Sequence, residues 1–276
     1  MSVPRFIRNY DLRFLILGGE VIIRPPIRIN FQSDKSIRGG LNKISLQIYN
    51  LEERKRLALV KDAEQQKRIP FQLSVGYQNS LELLFSGDVH TGANARQGAD
   101  IITSIEGLDG GFDYLNSFTS ATVEGGQRAI QTVLGDMPNT SQGKITERPP
   151  LTRPKVLVGN SARVIESTIG PDETWYIDNG QLNVIKDDEV TGRFIPLVSA
   201  ETGLISTPTR ESRLVTFETL MNPAVKIGQR AQLRSQIAPH LDGIYRIETI
   251  SYQGDNFGDQ WSQTCTGLLV ERVKVL

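Results

Sequence analysis

Apolar residues recur at every second position through most of this chain, the spacing of strands whose alternate side chains face a core. From Asn42 onward, Ile44, Leu46 and Ile48 fall on one face and Ser45, Gln47 and Tyr49 on the other. After a polar arm at Asn9-Tyr-Asp-Leu, the runs Phe14–Leu17 and Glu20–Ile23 flank Gly18-Gly19, a two-residue hairpin signal. Pro25-Pro26 ends the second run, because proline cannot donate to a ladder, and Ile27, Ile29 and Phe31 resume it. Asn50 is predicted to cap a helix with an acidic first turn, Glu52-Glu53, and a stripe of Leu51, Leu57 and Val60, running to about Gln65. Strands follow at Ile69–Tyr77 and Leu81–His90 around the turn Gln78-Asn-Ser80. A loop rich in Gly, Ala and Asn then leads to a strand at Asp100–Leu108.

The last quarter has the same character. Leu214–Leu220 and Arg230–Ser235 read as strands around the corner Asn222-Pro223 and Val225–Gly228. Gly243–Gln253 pairs with Gln260–Leu269 across a turn at Gly254-Asp-Asn256 and Gly258-Asp259. In the first of these, Ile244, Arg246, Glu248 and Ile250 alternate with Tyr245, Ile247, Thr249 and Ser251.

Between these regions the pattern changes. Phe112–Ser117 leads toward a helix over Ala129–Leu134, opened by Gly125-Gly126 and stopped by Gly135. Residues 139–153 read as a loop, and Ser161–Ile169 as a short helix. Trp175–Ile185 carries Asn179-Gly180 between apolar and β-branched residues, the type I′ hairpin signature.

An internal repeat is also visible. Phe85-Ser-Gly87-Asp88 followed by Thr103-Ser-Ile-Glu-Gly107-Leu108 has an echo in Tyr252-Gln-Gly254-Asp255 followed by Gln263-Thr-Cys-Thr-Gly267-Leu268. The expected fold is therefore mainly β: two antiparallel β-barrels, residues 1–111 and 191–276, flanking a small α+β domain at 112–190.

Composition narrows the function. Lysine plus arginine equals aspartate plus glutamate at 31 each, so no global field draws the chain to nucleic acid or an anionic membrane. The apolar run Phe14–Leu17 is far below a membrane span of ~20 residues, which predicts a soluble chain without insertion into a membrane. The single cysteine, Cys265, excludes an intramolecular disulfide and reads as a small buried side chain.

Catalytic constellations are missing from the pattern. Gly107-Leu-Asp-Gly-Gly111 lacks the lysine and spacing of a phosphate loop, and Gly159-Asn-Ser161-Ala is no nucleophile elbow. His90 and His240 have no second ligand at helical spacing, and Asp187-Asp188-Glu189 lacks the alternating ligands of a calcium loop. Asp109 and Asp113 are candidates for a glycosidase carboxylate pair only if the fold brings them to one cleft. Tyr245-Arg246 and Trp261 make no stacking platform for nucleic acid. No catalytic, cofactor or metal residues are assigned, and a function carried by surfaces is expected, with a peptidoglycan hydrolase as the alternative.

The order of several motifs resembles a known family. Gly203-Leu-Ile-Ser-Thr-Pro208, Val215-Thr-Phe217, Leu220-Met-Asn222-Pro223, Lys226-Ile-Gly228, Gly243-Ile-Tyr245, Ile250-Ser-Tyr252-Gln-Gly254-Asp255 and Trp261 together resemble the C-terminal barrel of bacteriophage baseplate hub proteins. The Trp175–Ile185 hairpin is similar to that of their middle domain, and Asn42–Asn50 with Ser86-Gly87-Asp88 resembles the first barrel. The resemblance implies tail-tube-like barrels related to the hub part of type VI secretion spikes. It further implies a homotrimer of pseudo-sixfold symmetry that joins a hexameric tail tube to a trimeric central spike in a contractile virion tail and lines the DNA channel. Partners so implied are the tube or tube-initiator protein, the spike, and the tape-measure and wedge proteins, for a chain made in the host cytoplasm. Gln78–Ser80, Gly92–Gly98 and Gln236–Asp242 are expected as contact loops. A tube or distal-tail protein would share the barrels without the duplication.

Overall fold

Backbone hydrogen bonds rather than helix packing organise this chain: in the computed structural model 13 strands join in one sheet. The structure describes residues 7–16, 19–38, 41–60, 67–78, 80–148, 150–270 and 274–276. The Gly18 half of the first hairpin turn, Asn79 of the second, and the expected helix beyond residue 60 lie outside them.

The first half supplies β1 (Arg8–Ile16), β2 (Gly19–Ile23), β3 (Ile29–Ser36), β4 (Lys43–Tyr49), α1 (Glu53–Leu59), β5 (Pro70–Tyr77), β6 (Ser80–Gln97) and β7 (Asp100–Leu108). The middle supplies α2 (Gly111–Asn116), β8 (Phe118–Gly125), α3 (Gly126–Gly135), β9 (Ser141–Ile145), β10 (Pro150–Asn160), α4 (Ser161–Glu166), β11 (Glu173–Asp178), β12 (Gln181–Lys186) and β13 (Glu189–Val190). The last part supplies β14 (Leu197–Val198), β15 (Thr209–Glu211), β16 (Leu214–Leu220), β17 (Arg230–Leu233), β18 (Gly243–Asp255), β19 (Trp261–Leu269) and β20 (Lys274–Val275).

The large sheet runs β15-β16-β19-β18-β3-β4-β7-β6-β5-β1-β2, with β17 beside β18 and β14 beside β17. The mainly β expectation holds, and among the described residues the strands of both expected barrels join in one large sheet. No closed barrel is present among the described residues, because β3 of the first half pairs with β18 of the second, from Thr249 opposite Ser36 to Asp255 opposite Asn30. Apolar side chains of both halves accordingly merge into one core, from Tyr10, Leu12 and Phe14 to Tyr252, Trp261 and Cys265. The middle segment has its own core around Ile130, Val133, Trp175, Ile177 and Val184.

Both halves repeat one arrangement. In the first, the neighbours run β4-β7-β6-β5; in the second, β16-β19-β18-β17, all antiparallel. Each long strand carries a bulge at the same place. Val89 lies opposite Gly107 and Thr91 opposite Glu106, with His90 extra; Ile247 lies opposite Gly267 and Thr249 opposite Thr266, with Glu248 extra. Gly107-Leu108 and Gly267-Leu268 therefore correspond, as the sequence pattern has them. Gly87-Asp88 and Gly254-Asp255 do not: the bulges equate Asp88 with Arg246, and Asp255 with Gln97.

The bulge also corrects the expected alternation in β18. A bulge inserts one unpaired residue and exchanges the faces beyond it. Tyr245 and Ile247 point inward before Glu248, Ile250 and Tyr252 after it, and Ile244 is exposed.

Other local expectations are corrected too. The polar arm at Asn9 is the start of β1, where Tyr10 and Leu12 are buried against β5. Asn50 does not cap α1; its φ of 53° turns the chain, and its side chain holds Asp100 and the Ile101 amide. Residues 92–97, expected in a loop, continue β6. The loop expected over 139–153 contains β9 and the start of β10. The Asn179-Gly180 hairpin stands as expected, with φ of 52° and 75°.

Candidate functional site

Polar groups cluster where the middle segment meets the large sheet. The tip of the β11-β12 hairpin points both turn amides, of Asn179 and Gly180, at the carboxylate of Asp109, which is fully buried just after β7. Lys35, projecting from β3, donates to Asp178 Oδ1 at 2.6 Å and to Asn179 Oδ1 at 3.2 Å. Asn179 Oδ1 also accepts from the Ser86 amide of β6, and Asn42 Nδ2 donates to the Ile177 carbonyl. Gly110, with φ of 64°, leaves room for Ile177, whose Cδ1 would stand 2.7 Å from a Cβ there. Lys35, Ser86 and Asp109 of the first half thus hold one turn, and Asn42 holds the strand that leads into it.

Burial pushes the Asp109 carboxyl up to about 8, against the opposing pull of the Lys35 charge and the two turn amides. Asp113, the other candidate carboxylate, is also buried, and accepts from the Asn139 amide, Asn139 Nδ2 and Thr140 Oγ1 at 2.7–2.9 Å. Each carboxylate is occupied by a different loop. A glycosidase pair needs two carboxyl groups facing a shared substrate, and this pair does not provide it.

The acidic run at the end of β12 is held from the opposite side. Arg246, wholly buried on β18, donates through Nη1 to the carbonyls of Lys186, Asp187 and Glu189 and through Nε to Glu248 Oε1 at 2.7 Å. Arg38 bridges Glu248 and Asp187. Glu189 accepts from Thr146 Oγ1 and the Lys186 amide. The Asp187 carboxylate is thus engaged by Arg38, and that of Glu189 by Thr146, the Lys186 amide and Lys274.

The remaining single candidates separate in space. His90 is exposed at the β6 bulge and His240 on the 3-10 turn Pro239–Leu241. Ser161 is buried against Thr119 at 2.9 Å. Cys265 is buried in β19, and burial pushes its thiol up to about 12. Among the described residues no three or more His, Cys, Asp or Glu side chains group as metal ligands would. The sequence reads Arg246 as a strand residue and, with Tyr245, as part of no stacking platform; its place among polar residues of an alternating strand gives no local signal of the latch it makes.

What the surface offers instead is sheet edge and apolar area. β15 is exposed along its length and β2 ends the sheet at the other side. Residues 91–97 of β6 pair with β7 on one flank and with no strand on the other, among the described residues. Phe118, Val156 and Val158 are exposed on the β8-β10 ribbon, and Ile237 on the loop at 236–242.

Buried polar clusters thus tie element to element, and β15, β2 and residues 91–97 leave strand edges unpaired among the described residues. The chain belongs to the baseplate hub gp41 family, which matches it over residues 11–267. This makes it a baseplate component of a phage tail. No curated protein matches the chain. Similar solved structures include a tail protein of Neisseria meningitidis MC58, at 9% identity and TM-score 0.66, with 96% of this chain and 97% of that one covered. The 43 kDa tail protein of prophage MuSo2 from Shewanella oneidensis is similar at 10% identity and TM-score 0.61, covering 94% and 98%. An E. coli type VI secretion component, described as structurally similar to the T4 tail proteins gp27 and gp5, is similar at 9% identity and TM-score 0.63, covering 94% and 78%. At such identities the likeness is one of fold.

Proposed function

We propose that this chain is the hub adaptor of a contractile tail, three copies forming a ring of pseudo-sixfold symmetry between a hexameric tube and a trimeric spike. The observation that carries this reading is the repeated unit: two four-strand arrangements of the same order, each bulged at the residue that follows the partner of Gly107 or Gly267. A chain holding two like units offers six-membered geometry from three copies, and so matches partners of both symmetries. Residues 1–111 and 191–276 are the two tube-like units, and 112–190 the middle domain, fixed to both through Asp109 and Arg246.

In this reading the ring encloses the DNA channel, and no bond is made or broken by the chain. The tube or tube-initiator protein, the spike, and tape-measure and wedge proteins are its partners in the virion. The chain is made in the host cytoplasm before assembly. Light scattering of the purified chain, alone and with the spike, tests this: three copies of the chain per particle are expected. A chain that stays monomeric with both tube and spike present at assembly concentrations overturns the reading.

A further inference from the structure

The junction that the chain makes within itself has a counterpart left open. In β18, residues 249–255 pair with β19 on one flank and with β3 on the other. The strand in the corresponding place of the first unit is β6, where residues 91–97 pair with β7 alone among the described residues. The strand that corresponds to β3 is β15, since β3 lies beside β4 as β15 lies beside β16.

Register follows from the shared Gly-Leu landmark. Asp34 lies opposite Lys43, and Lys43 opposite Leu108; Glu211 lies opposite Leu214, and Leu214 opposite Leu268. Glu211 therefore takes the place of Asp34, and Thr209 that of Gln32. The bulges equate Thr91 with Thr249, and so Ala93 with Ser251. Within the chain Asp34 faces Ser251, with the Ser251 hydroxyl donating to Asp34 at 2.7 Å.

The two open edges are not paired to each other within the chain, and seven strand spacings separate β15 from β6 along the sheet, roughly 34 Å at the usual ~4.8 Å per strand. We propose that β15 of one copy adds antiparallel to residues 91–97 of β6 in the next, with Thr209 opposite Ala95, Arg210 opposite Asn94 and Glu211 opposite Ala93. The occupant of the edge is a second copy of this chain because the other half of the junction is already in the molecule.

The edges suit the task. Gly92, Ala93 and Ala95 present little side chain to an approaching strand, and β15 is short, charged and preceded by Pro208, features that keep a free edge from indiscriminate pairing. The contact is heterologous, using different surfaces on the two copies, so it either closes into a ring or runs on as a filament. Internal β3·β18 junctions alternate with intermolecular β15·β6 junctions around such a ring. The strand assignment deepens the hub reading, which supplies the number of copies.

Cysteines test it in the full chain, where the one native thiol is buried. Ala93→Cys with Glu211→Cys, both at exposed positions, is expected on mild oxidation to give a disulfide ladder ending at the covalent trimer. Gln97→Cys with Glu211→Cys, out of register, should give less than a tenth as much, and Ala95→Cys with Thr209→Cys should repeat the ladder. Asp34→Cys with Ser251→Cys should close within one chain and run as monomer. A trimer by light scattering with no ladder from either in-register pair overturns the strand assignment and leaves the hub reading standing. A chain that gives no ladder and stays monomeric at every concentration, with tube and spike present as well, overturns both.

Discussion

Replacing Asp109 by Asn removes a titratable group from the buried site where the hairpin tip is held to the first unit. In the folded chain burial raises this carboxyl from near 3.8 to about 8. Between those limits the native state holds a proton that the unfolded chain has released. Stability from this group is therefore full below the unfolded value and is lost as pH rises toward the folded one. The slope where both conditions hold is about 1.4 kcal/mol per pH unit, so the group's contribution falls by roughly 3 kcal/mol between pH 5 and pH 7. Asn cannot titrate. The difference in stability between wild type and Asp109→Asn should thus shift by that amount across the interval in favour of the variant, while other ionisable groups cancel. Urea titrations followed by the buried Trp175 and Trp261 measure it. Parallel stability curves for the two proteins between pH 5 and 8 would refute the assignment of a raised value to Asp109. Because Asn also keeps only one acceptor for two turn amides, a loss of about 1–2 kcal/mol at pH 5 is expected on top.

Arg246→Ala should cost about 3–5 kcal/mol, because Glu248 and three carbonyls are left buried without their donor; a urea midpoint within 0.3 M of wild type, about what a loss of well under 1 kcal/mol would give, contradicts the latch. Gly228→Ala should destabilise by about 2 kcal/mol, since φ is 70° and a Cβ there would overlap the Tyr176 hydroxyl; an unchanged thermal midpoint contradicts that packing. Cys265 should resist a thiol reagent at pH 8 in the native state and react on unfolding in urea; rapid labelling of the folded chain would place it at the surface.

Much of the strand pattern was legible because an alternating run half in water reports its own face. Ile44, Leu46 and Ile48 are buried as their spacing requires, and Asn179-Gly180 turns as that dipeptide does. The failures have a common cause in long-range pairing. Nothing local tells that β3 prefers β18 to a closing strand of its own unit, so two barrels were expected where one sheet runs through. Gly, Ala and Asn at 92–94 read as a loop, yet pairing to β7 holds them in β6. The bulge at Glu248 was hidden because an arginine and a glutamate looked like the solvent side of the alternation, when both are buried and bonded to one another. Asp109 read as half of a candidate glycosidase pair; the turn that engages it lies 70 residues further along the chain.

Direct imaging of the assembled hub along its axis tests the central claim most plainly. Three chains that present six similar densities around the channel, alternating between the 1–111 and 191–276 units, are the expected result. Three densities from three chains, or six chains making the six, would contradict the account.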